Sequence, residues 1–288
     1  MSAKILAGKD FAARFKEEAK NDALDIKKQF GVVPGLSVIV VGDDPASAVY
    51  VRNKHKTCEE LGIYSEIIAL PSTTSKEEIV AKINALNADK KIHGILVQLP
   101  LPKAIAAHEA EILESINPLK DVDGFHPVNV GKLVIGEPAL VPCTPLGCIR
   151  MLEAAGIGID GKRAVVIGRS NIVGKPMLHL LMQRHATVTV CHSHTKNLAA
   201  ITKEADILVV AIGRPQMVTA DMVKVGATVI DVGINRIAEK KLVGDVDFAN
   251  VARIAGAITP VPGGVGLLTV AMLMKNVITA AKMQLNGQ

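Results

Sequence analysis

Three groups of residues in this chain have types and spacings that chemistry can use. Tyr50 and Lys54 stand four apart in a helix-like segment and so share one face. A tyrosine beside a lysine sets a flat apolar wall next to a proton-transfer group. Most helical lysines are solvated, however, and for this pair alone that is the stronger reading. Gln98 falls at the carboxyl end of an apolar run, Gly94 to Leu99, where open α/β sheets place ligands, and Asp123 lies in the loop beyond the next element. The segment Thr259-Pro-Val-Pro-Gly-Gly-Val-Gly266 puts two prolines and three glycines at the mouth of a last strand. Such a segment lets backbone approach a flat ligand closely and accommodates a cis X-Pro bond.

The stretch Ala164 to Pro176, Ala-Val-Val-Ile-Gly-Arg-Ser-Asn-Ile-Val-Gly-Lys-Pro, reads strand, tight turn, helix, with the helix expected from Ile172 towards Met182. Small residues there let backbone meet an anion, and a helix N-terminus supplies free N–H groups and a positive dipole end. The pattern departs from the dinucleotide fingerprint: Ser170 holds the second glycine position and Gly174 comes one residue late. A strand at Thr187 to Cys191 nevertheless follows at βαβ distance, which favours a cofactor turn over an ordinary strand-to-helix turn. An NAD site usually has Asp or Glu about 20 residues on, at the ribose 2′-hydroxyl. Here that region reads Val190-Cys-His-Ser-His-Thr-Lys196, without a carboxylate. Arg169, Ser193 and Lys196 offer donors and charge for the 2′-phosphate of NADP instead, the alternative being solvated surface cations.

These residues need elements to position them. Helix-like periodicity covers Lys9 to Phe30, and Leu36 to Val41 is a short apolar run closed by Gly42. A helix from Asp44-Pro45 to Gly62, a strand from Ser65 to Leu70, a helix from Ser75 to Asn87 with a capping-box pattern and the strand Gly94 to Leu99 follow. Pro100 to Pro145 is looser, with one short helix around Ala107 to Ile116. A helix from Thr144-Pro145 to Gly156 leads to the turn at Gly168, then to strands at Asp206 to Ala211 and Thr228 to Val232, a hairpin at Ile237 to Leu242, a strand at Ala257 to Thr259 and a helix from Leu268 to Met283. Alternating strands and helices predict parallel sheets covered on both faces.

At 288 residues, 49% hydrophobic and 21% charged, the chain can bury two cores. The expected fold is two α/β domains: an N-terminal catalytic domain with a parallel sheet over 1–143, joined by the C-terminal helix 268–288, and a Rossmann-like domain over 144–267, with a cleft between them. A formal net charge of +5 with two Tyr, five Phe and no Trp gives little support for nucleic-acid binding and fits a small polyanion. Cys58, Cys143, Cys148 and Cys191 form no Cys-x-x-Cys pair and read as reduced, buried thiols. Cys191-His-Ser-His194 is a poor metal site, because neighbours on a strand point to opposite faces. Asp121-Val-Asp-Gly124 fails as a calcium loop, since the sixth and twelfth positions are His126 and Lys132. Neither a signal peptide nor an uninterrupted apolar run of membrane-spanning length is evident, so a cytoplasmic protein without a membrane partner is expected.

Taken together, Tyr50-Val-x-x-Lys54, Gly94-Ile-Leu-Val-Gln98-Leu-Pro-Leu-Pro102, Lys120-Asp-Val-Asp123-Gly-Phe, Pro142-Cys-Thr-Pro145, Gly168-Arg-Ser-x-Ile-Val-Gly-Lys-Pro176, Asp231-Val-Gly-Ile-Asn235 and Thr259 to Gly266 closely resemble the bifunctional methylenetetrahydrofolate dehydrogenase/cyclohydrolase family. The resemblance runs the length of the chain in the family's order. It implies NADP-dependent oxidation of 5,10-methylenetetrahydrofolate to the methenyl form and hydrolysis of that to 10-formyltetrahydrofolate, a step of one-carbon metabolism that serves purine biosynthesis. By the same resemblance Lys54 is the principal catalytic group, Gln98 tunes it and Tyr50 stacks on the folate. Asp123 holds the pterin's N–H groups with Asp121 behind it, and Pro262, Gly263 and Gly264 line the substrate. Gly168, Arg169, Ser170, Ser193 and Ile234 then map to cofactor contacts. A homodimer and polyglutamylated folates are implied partners. One departure stands out: after Gly266 the family usually continues Pro-Met-Thr, and this chain has Leu267-Leu-Thr269, which restores an N–H and puts the loop geometry in question. Two other classes stay open on the residues alone, a dehydrogenase of another small substrate and a nucleotide-sensing protein without catalysis.

Overall fold

The computed structural model describes residues 3–238 and 241–287. The first half runs β1 (Lys4–Ile5), α1 (Gly8–Phe30), β2 (Gly35–Val41), α2 (Pro45–Glu60), β3 (Tyr64–Leu70), α3 (Lys76–Ala88), β4 (Gly94–Val97), α4 (Glu109–Glu114) and α5 (Pro127–Ile135). It continues with α6 (Cys143–Ala154), β5 (Arg163–Ile167), α7 (Gly174–Met182), β6 (Thr187–Cys191), α8 (Leu198–Thr202), β7 (Ile207–Val210) and β8 (Thr228–Asp231). A hairpin of β9 (Asn235–Ala238) and β10 (Lys241–Val243), α9 (Phe248–Val251), β11 (Ala257–Ile258) and α10 (Gly266–Asn286) complete it. Glu239 and Lys240, within the expected hairpin Ile237 to Leu242, lie outside the described residues.

By internal contact the chain forms two compact units, residues up to Ala13 with Pro142–Thr269, and Arg14–Val141 with Val270 onward. The expected first domain, 1–143, therefore differs at its start. Residues up to Ala13 group with the later segment because β1 pairs in parallel with β11, Lys4 opposite Ala257 and Ile5 opposite Ile258. Two residues are too few for periodicity to reveal a strand.

In the unit built on Arg14–Val141, three parallel strands lie in the order β3-β2-β4. The central strand is buried along nearly its whole length, which is why Leu36 to Val41 reads as a continuous apolar run. Ile79, Ile83 and Leu86 of α3 pack with Ile39, Ile95 and Val97. The capping box of Ser75 and Glu78 starts α3, and Lys120 Nζ caps its other end on the carbonyls of Leu86 and Asp89 at 2.9 and 2.7 Å. The chain at Lys120–Asp121 then runs beside β4: Ile95 N–H donates to Lys120 O at 2.7 Å, and Ile95 bridges Asp121 in parallel. Gly94 permits that approach, because a Cβ there would stand 2.5 Å from Val122 Cγ1. Asn276 of α10, buried, ties the same loop down by donating from Nδ2 to the carbonyls of Val122 and Val141, each at 2.8 Å.

In the other unit six strands lie in the order β1-β11-β8-β7-β5-β6, every pair parallel. The chain leaves β5 for β6 on one side and returns to β7 on the other, so the strand order reverses at β5. In open α/β sheets that reversal opens a crevice at the carboxyl ends of the strands. All four cysteines are buried thiols. Among the described residues α10 alone is long and apolar enough, by length and composition, to cross a membrane, but 56% of that window is buried and its Lys275 and Lys282 both pair with Asp22.

Replacing Asn276 with Ala removes the hydrogen bonds to Val122 O and Val141 O. The expected loss is ~0.5–1.5 kcal/mol of stability per hydrogen bond removed. Urea unfolding followed by circular dichroism measures it, and a midpoint equal to wild type would deny Asn276 that role.

Candidate active site

Lys54 projects from the third turn of α2, half-buried, and donates from Nζ to Gln98 Oε1 at 2.9 Å. Gln98 follows β4 directly, and its own Nε2 donates to Leu99 O at 2.7 Å, so the amide is oriented with its oxygen towards the lysine. After Lys120–Asp121 has run beside β4, a turn closed by Gly124 N–H on Asp121 O carries Asp123 to within electrostatic reach of Lys54. Asp123 is close enough to Lys54 and Asp121 to feel both charges: burial and Asp121 raise its carboxyl to about 6, and Lys54 opposes them. Asp121, 3% exposed, faces inward. Its carboxylate accepts from Gly124 N at 3.1 Å, His126 N at 2.8 Å and Asn129 Nδ2 at 2.9 Å, which fixes the turn after Asp123. Tyr50, one helical turn before Lys54, is 55% exposed and free to meet a planar ligand. The lysine is thus hydrogen-bonded and half-buried rather than enclosed.

Pro262, Gly263 and Gly264 belong to the other unit. The Val261–Pro262 bond is cis, Gly263 has φ 99°, and its carbonyl accepts Gly8 N–H at 2.7 Å. The loop put in question by Leu267 is regular at that point: Leu267 N–H donates to Gly264 O at 3.2 Å and α10 begins at Gly266.

At the strand reversal, Gly168 has φ 124°, and a Cβ on it would collide with Ala211 O. Gly174, although one residue late, packs on Gly168 so closely that a Cβ there would strike its carbonyl, so it serves the close approach of helix to strand. Helix α7 begins at Gly174 and not at Ile172, because Ser170 Oγ accepts from Val173 N at 3.2 Å and Gly174 N at 3.3 Å and holds the intervening residues in a turn. A cavity of about 310 Å³ opens beside this turn, at the carboxyl ends of β5, β6 and β7. Arg169, His192, Ser193, Ile212 and Arg214 line it, and no Asp or Glu does so among the described residues. Ser170 and Ile234 do not line that cavity; Ile234, 54% exposed, follows Gly233 in the loop after β8.

Residues 6–123 match the family model of the tetrahydrofolate dehydrogenase/cyclohydrolase catalytic domain, and residues 142–285 match that of its NAD(P)-binding domain. The chain belongs to the tetrahydrofolate dehydrogenase/cyclohydrolase family. It is similar to the bifunctional protein FolD of Moorella thermoacetica, at 58% identity over 98% of this chain and 100% of that protein. The crystal structure of the bifunctional FolD methylenetetrahydrofolate dehydrogenase/cyclohydrolase from Campylobacter jejuni is alike at TM-score 0.94 and 49% identity, covering 98% of this chain and all of that one. The Trypanosoma brucei methylenetetrahydrofolate dehydrogenase-cyclohydrolase, solved with NADP cofactor and an inhibitor, is alike at TM-score 0.92 and 39% identity, over 99% of each chain. The two other classes left open on residues alone are thereby set aside: this is a bifunctional dehydrogenase and cyclohydrolase with an NAD(P)-binding domain.

Within this tetrahydrofolate dehydrogenase/cyclohydrolase, the structure brings Lys54, Gln98 and Asp123 together near the end of β4, with Asp121 beside Asp123 and Tyr50 one turn before Lys54 on α2, and places Gly168, Arg169 and Ser193 around the end of β5. Sequence reasoning missed His192, Ile212 and Arg214, which line the cavity at the end of β5. The signal was present in Gly213-Arg-Pro215, a turn directly after a strand in a parallel sheet. A second recess of about 390 Å³, lined by Lys162, Asp206 and Lys224, lies at the amino ends of β5, β7 and β8, away from the ligand crevice of such sheets.

The Asp123 carboxyl should titrate near 6 in a carbon-13 NMR titration, well above an ordinary aspartate. Asp121→Asn removes a like charge and lowers that midpoint, and Lys54→Met removes an opposite charge and raises it. Midpoints unmoved by both substitutions would separate the three groups.

Proposed function

We propose that this enzyme oxidises 5,10-methylenetetrahydrofolate to 5,10-methenyltetrahydrofolate with NADP⁺ and hydrolyses the product to 10-formyltetrahydrofolate, with Lys54 as the acid–base group. The observation that carries the residue roles is the Lys54–Gln98 hydrogen bond beside Asp123 at the end of β4. Bound NADP⁺ supplies a hydride acceptor. In the hydrolysis water attacks the methenyl carbon and loses one proton. The carbon–nitrogen bond at N5 then breaks as that nitrogen gains a proton and the adduct's hydroxyl gives up its own to form the formyl C=O, so one proton is released overall. A primary amine held by Gln98 Oε1 can take the first proton and return one to the leaving nitrogen.

Ionised Asp123 accepts from the pterin's amino and ring N–H groups, Asp121 fixes the loop that carries it, and the exposed ring of Tyr50 stacks on the folate. Pro262, Gly263 and Gly264 offer backbone to the same substrate. Gly168, Arg169 and Ser193 hold the cofactor from the cavity's lining, and Ser170 and Ile234 meet it from outside that lining. The fit to NADP rests on the cavity itself: Gly168 and Gly174 let the turn and the start of α7 pack tightly at the strand end, and two arginines, a histidine and a serine line the cavity without a carboxylate among the described residues. The NADP-bound trypanosomal relative supports the same choice. The proposal includes a homodimer in the cytoplasm, folates in polyglutamylated form, and a product that serves purine biosynthesis.

Lys54→Met keeps length and apolar stem but deletes the transferable proton. Hydrolysis should fall ~10²–10⁴-fold, while some dehydrogenase activity survives because hydride transfer depends on alignment and electron release from the folate. Methenyltetrahydrofolate then accumulates as NADPH forms, and the two absorbances can be followed separately. A variant that hydrolyses added methenyltetrahydrofolate at the wild-type rate would remove Lys54 from this role.

Arg169→Ala should weaken NADP⁺ far more than NAD⁺, by ~1.5–3 kcal/mol for a lost charge-assisted contact. Steady-state KM values for the two cofactors test this, and equal losses would contradict a 2′-phosphate contact.

A further inference from the structure

Two buried carboxylates in the NAD(P)-binding unit, Asp231 and Asp245, are 3% and 0% exposed. The donors they accept from are amides. Asp245 Oδ2 accepts from Ile212 N at 2.7 Å and Gly213 N at 2.9 Å, and Oδ1 accepts from Arg214 N and from Asn235 Nδ2, both at 2.8 Å. Three successive backbone N–H groups converge on one carboxylate, which Gly213 permits with φ 65°. Such a concavity is an anion-binding nest, and here the chain's own side chain fills it. Asp231 in turn accepts from Gly233 N, Asp245 N and Val246 N, each at 3.0 Å, so the backbone that carries Asp245 is itself held. Packing leaves no slack: a Cβ at Gly233 would collide with the Asp245 carboxylate, and one at Gly244 with that of Asp231.

Residues 212–214 follow β7, and Ile212 and Arg214 line the cavity with Arg169, His192 and Ser193. Because Asp245 already occupies the nest, a ligand in that cavity meets this loop through side chains and not through its N–H groups. The end of β6 is where the ribose 2′ position falls in a sheet of this order, and the β7 loop faces it across β5. We propose that Asp245 is a positioning residue for the cofactor: its carboxylate fixes the 212–214 loop so that Arg214, a specificity-determining cation beside Arg169, meets the 2′-phosphate. The inference rests on the NADP-dependent reading above.

Asp245→Asn leaves one acceptor oxygen and turns amide hydrogens towards the converging donors, so bonds to the loop are lost. The expected result is a KM for NADP⁺ raised about tenfold or more, with kcat at saturating NADP⁺ and cofactor-free hydrolysis of supplied methenyltetrahydrofolate both retained. A merely structural role would lower the active fraction, so that kcat and hydrolysis fall together at constant KM. That pattern, or an unchanged KM in a folded variant, would overturn the proposal. Should Asp245→Asn fail to fold, exposed Arg214→Gln carries the test: KM for NADP⁺ should rise about fivefold or more while that for NAD⁺ holds. No rise, or an equal rise for both, overturns it. Calorimetric titration of NADP⁺ into wild type and variants reads the inference without turnover. A wild type that binds NADP⁺ but forms no NADPH from methylenetetrahydrofolate would defeat the functional reading and leave this one standing.

Discussion

The segments that carry the candidate sites are irregular, so their backbone N–H groups have no ladder or helix to join, and several of those groups turn inward. A buried amide without a partner costs free energy comparable to a lost hydrogen bond. Inward-facing aspartates meet that requirement. Asp121 takes N–H groups from Gly124 and His126, Asp231 those of Gly233, Asp245 and Val246, and Asp245 those of Ile212, Gly213 and Arg214. One oxygen pair can serve several donors at different points of the chain, which a backbone carbonyl, fixed to its own segment, does less readily.

The device has a cost. Burial pushes the Asp231 carboxyl up to about 6, and its three N–H donors pull the other way. A carboxyl raised from 3.8 to about 6 in the folded state binds its proton more tightly there than in the unfolded chain. Its contribution to stability is therefore full below the unfolded value and is lost as pH rises through about 6. Asp123 is raised for a related reason, yet it sits half-buried beside Lys54, where a ligand can reach it.

Much of this was legible from residues alone. The apolar runs of β2, β4 and β5, the Ser75–Glu78 box and the glycine turn at 168 carry local signals, because burial on both faces, helix capping and positive φ each select residue types directly. Helix α5 was hidden although Pro127 opens it and Gly136 closes it at φ 82°, since of its nine residues only Asn129 and Leu133 are buried and no apolar stripe emerges. Strand β1 is short and borrows its identity from β11. Asp245 was illegible for another reason: an aspartate between Gly244 and Val246 looks like a solvated turn residue until the donors from segments 31 to 33 residues away converge on it. Long-range satisfaction leaves no period in the sequence.

The replacement of proline by Leu267 belongs to evolution rather than to chemistry. Position 267 lies in the first turn of α10, where proline is well tolerated. Leucine keeps the 3.2 Å bond from its N–H to Gly264 O, a contribution of ~0.5–1.5 kcal/mol. Proline would forgo that bond and recover ~0.4–1 kcal/mol by restricting the unfolded chain. The two nearly cancel, so the exchange costs the fold little, whereas a Cβ on Gly264 would strike Pro260 O and a side chain on Gly263 would be strained at φ 99°.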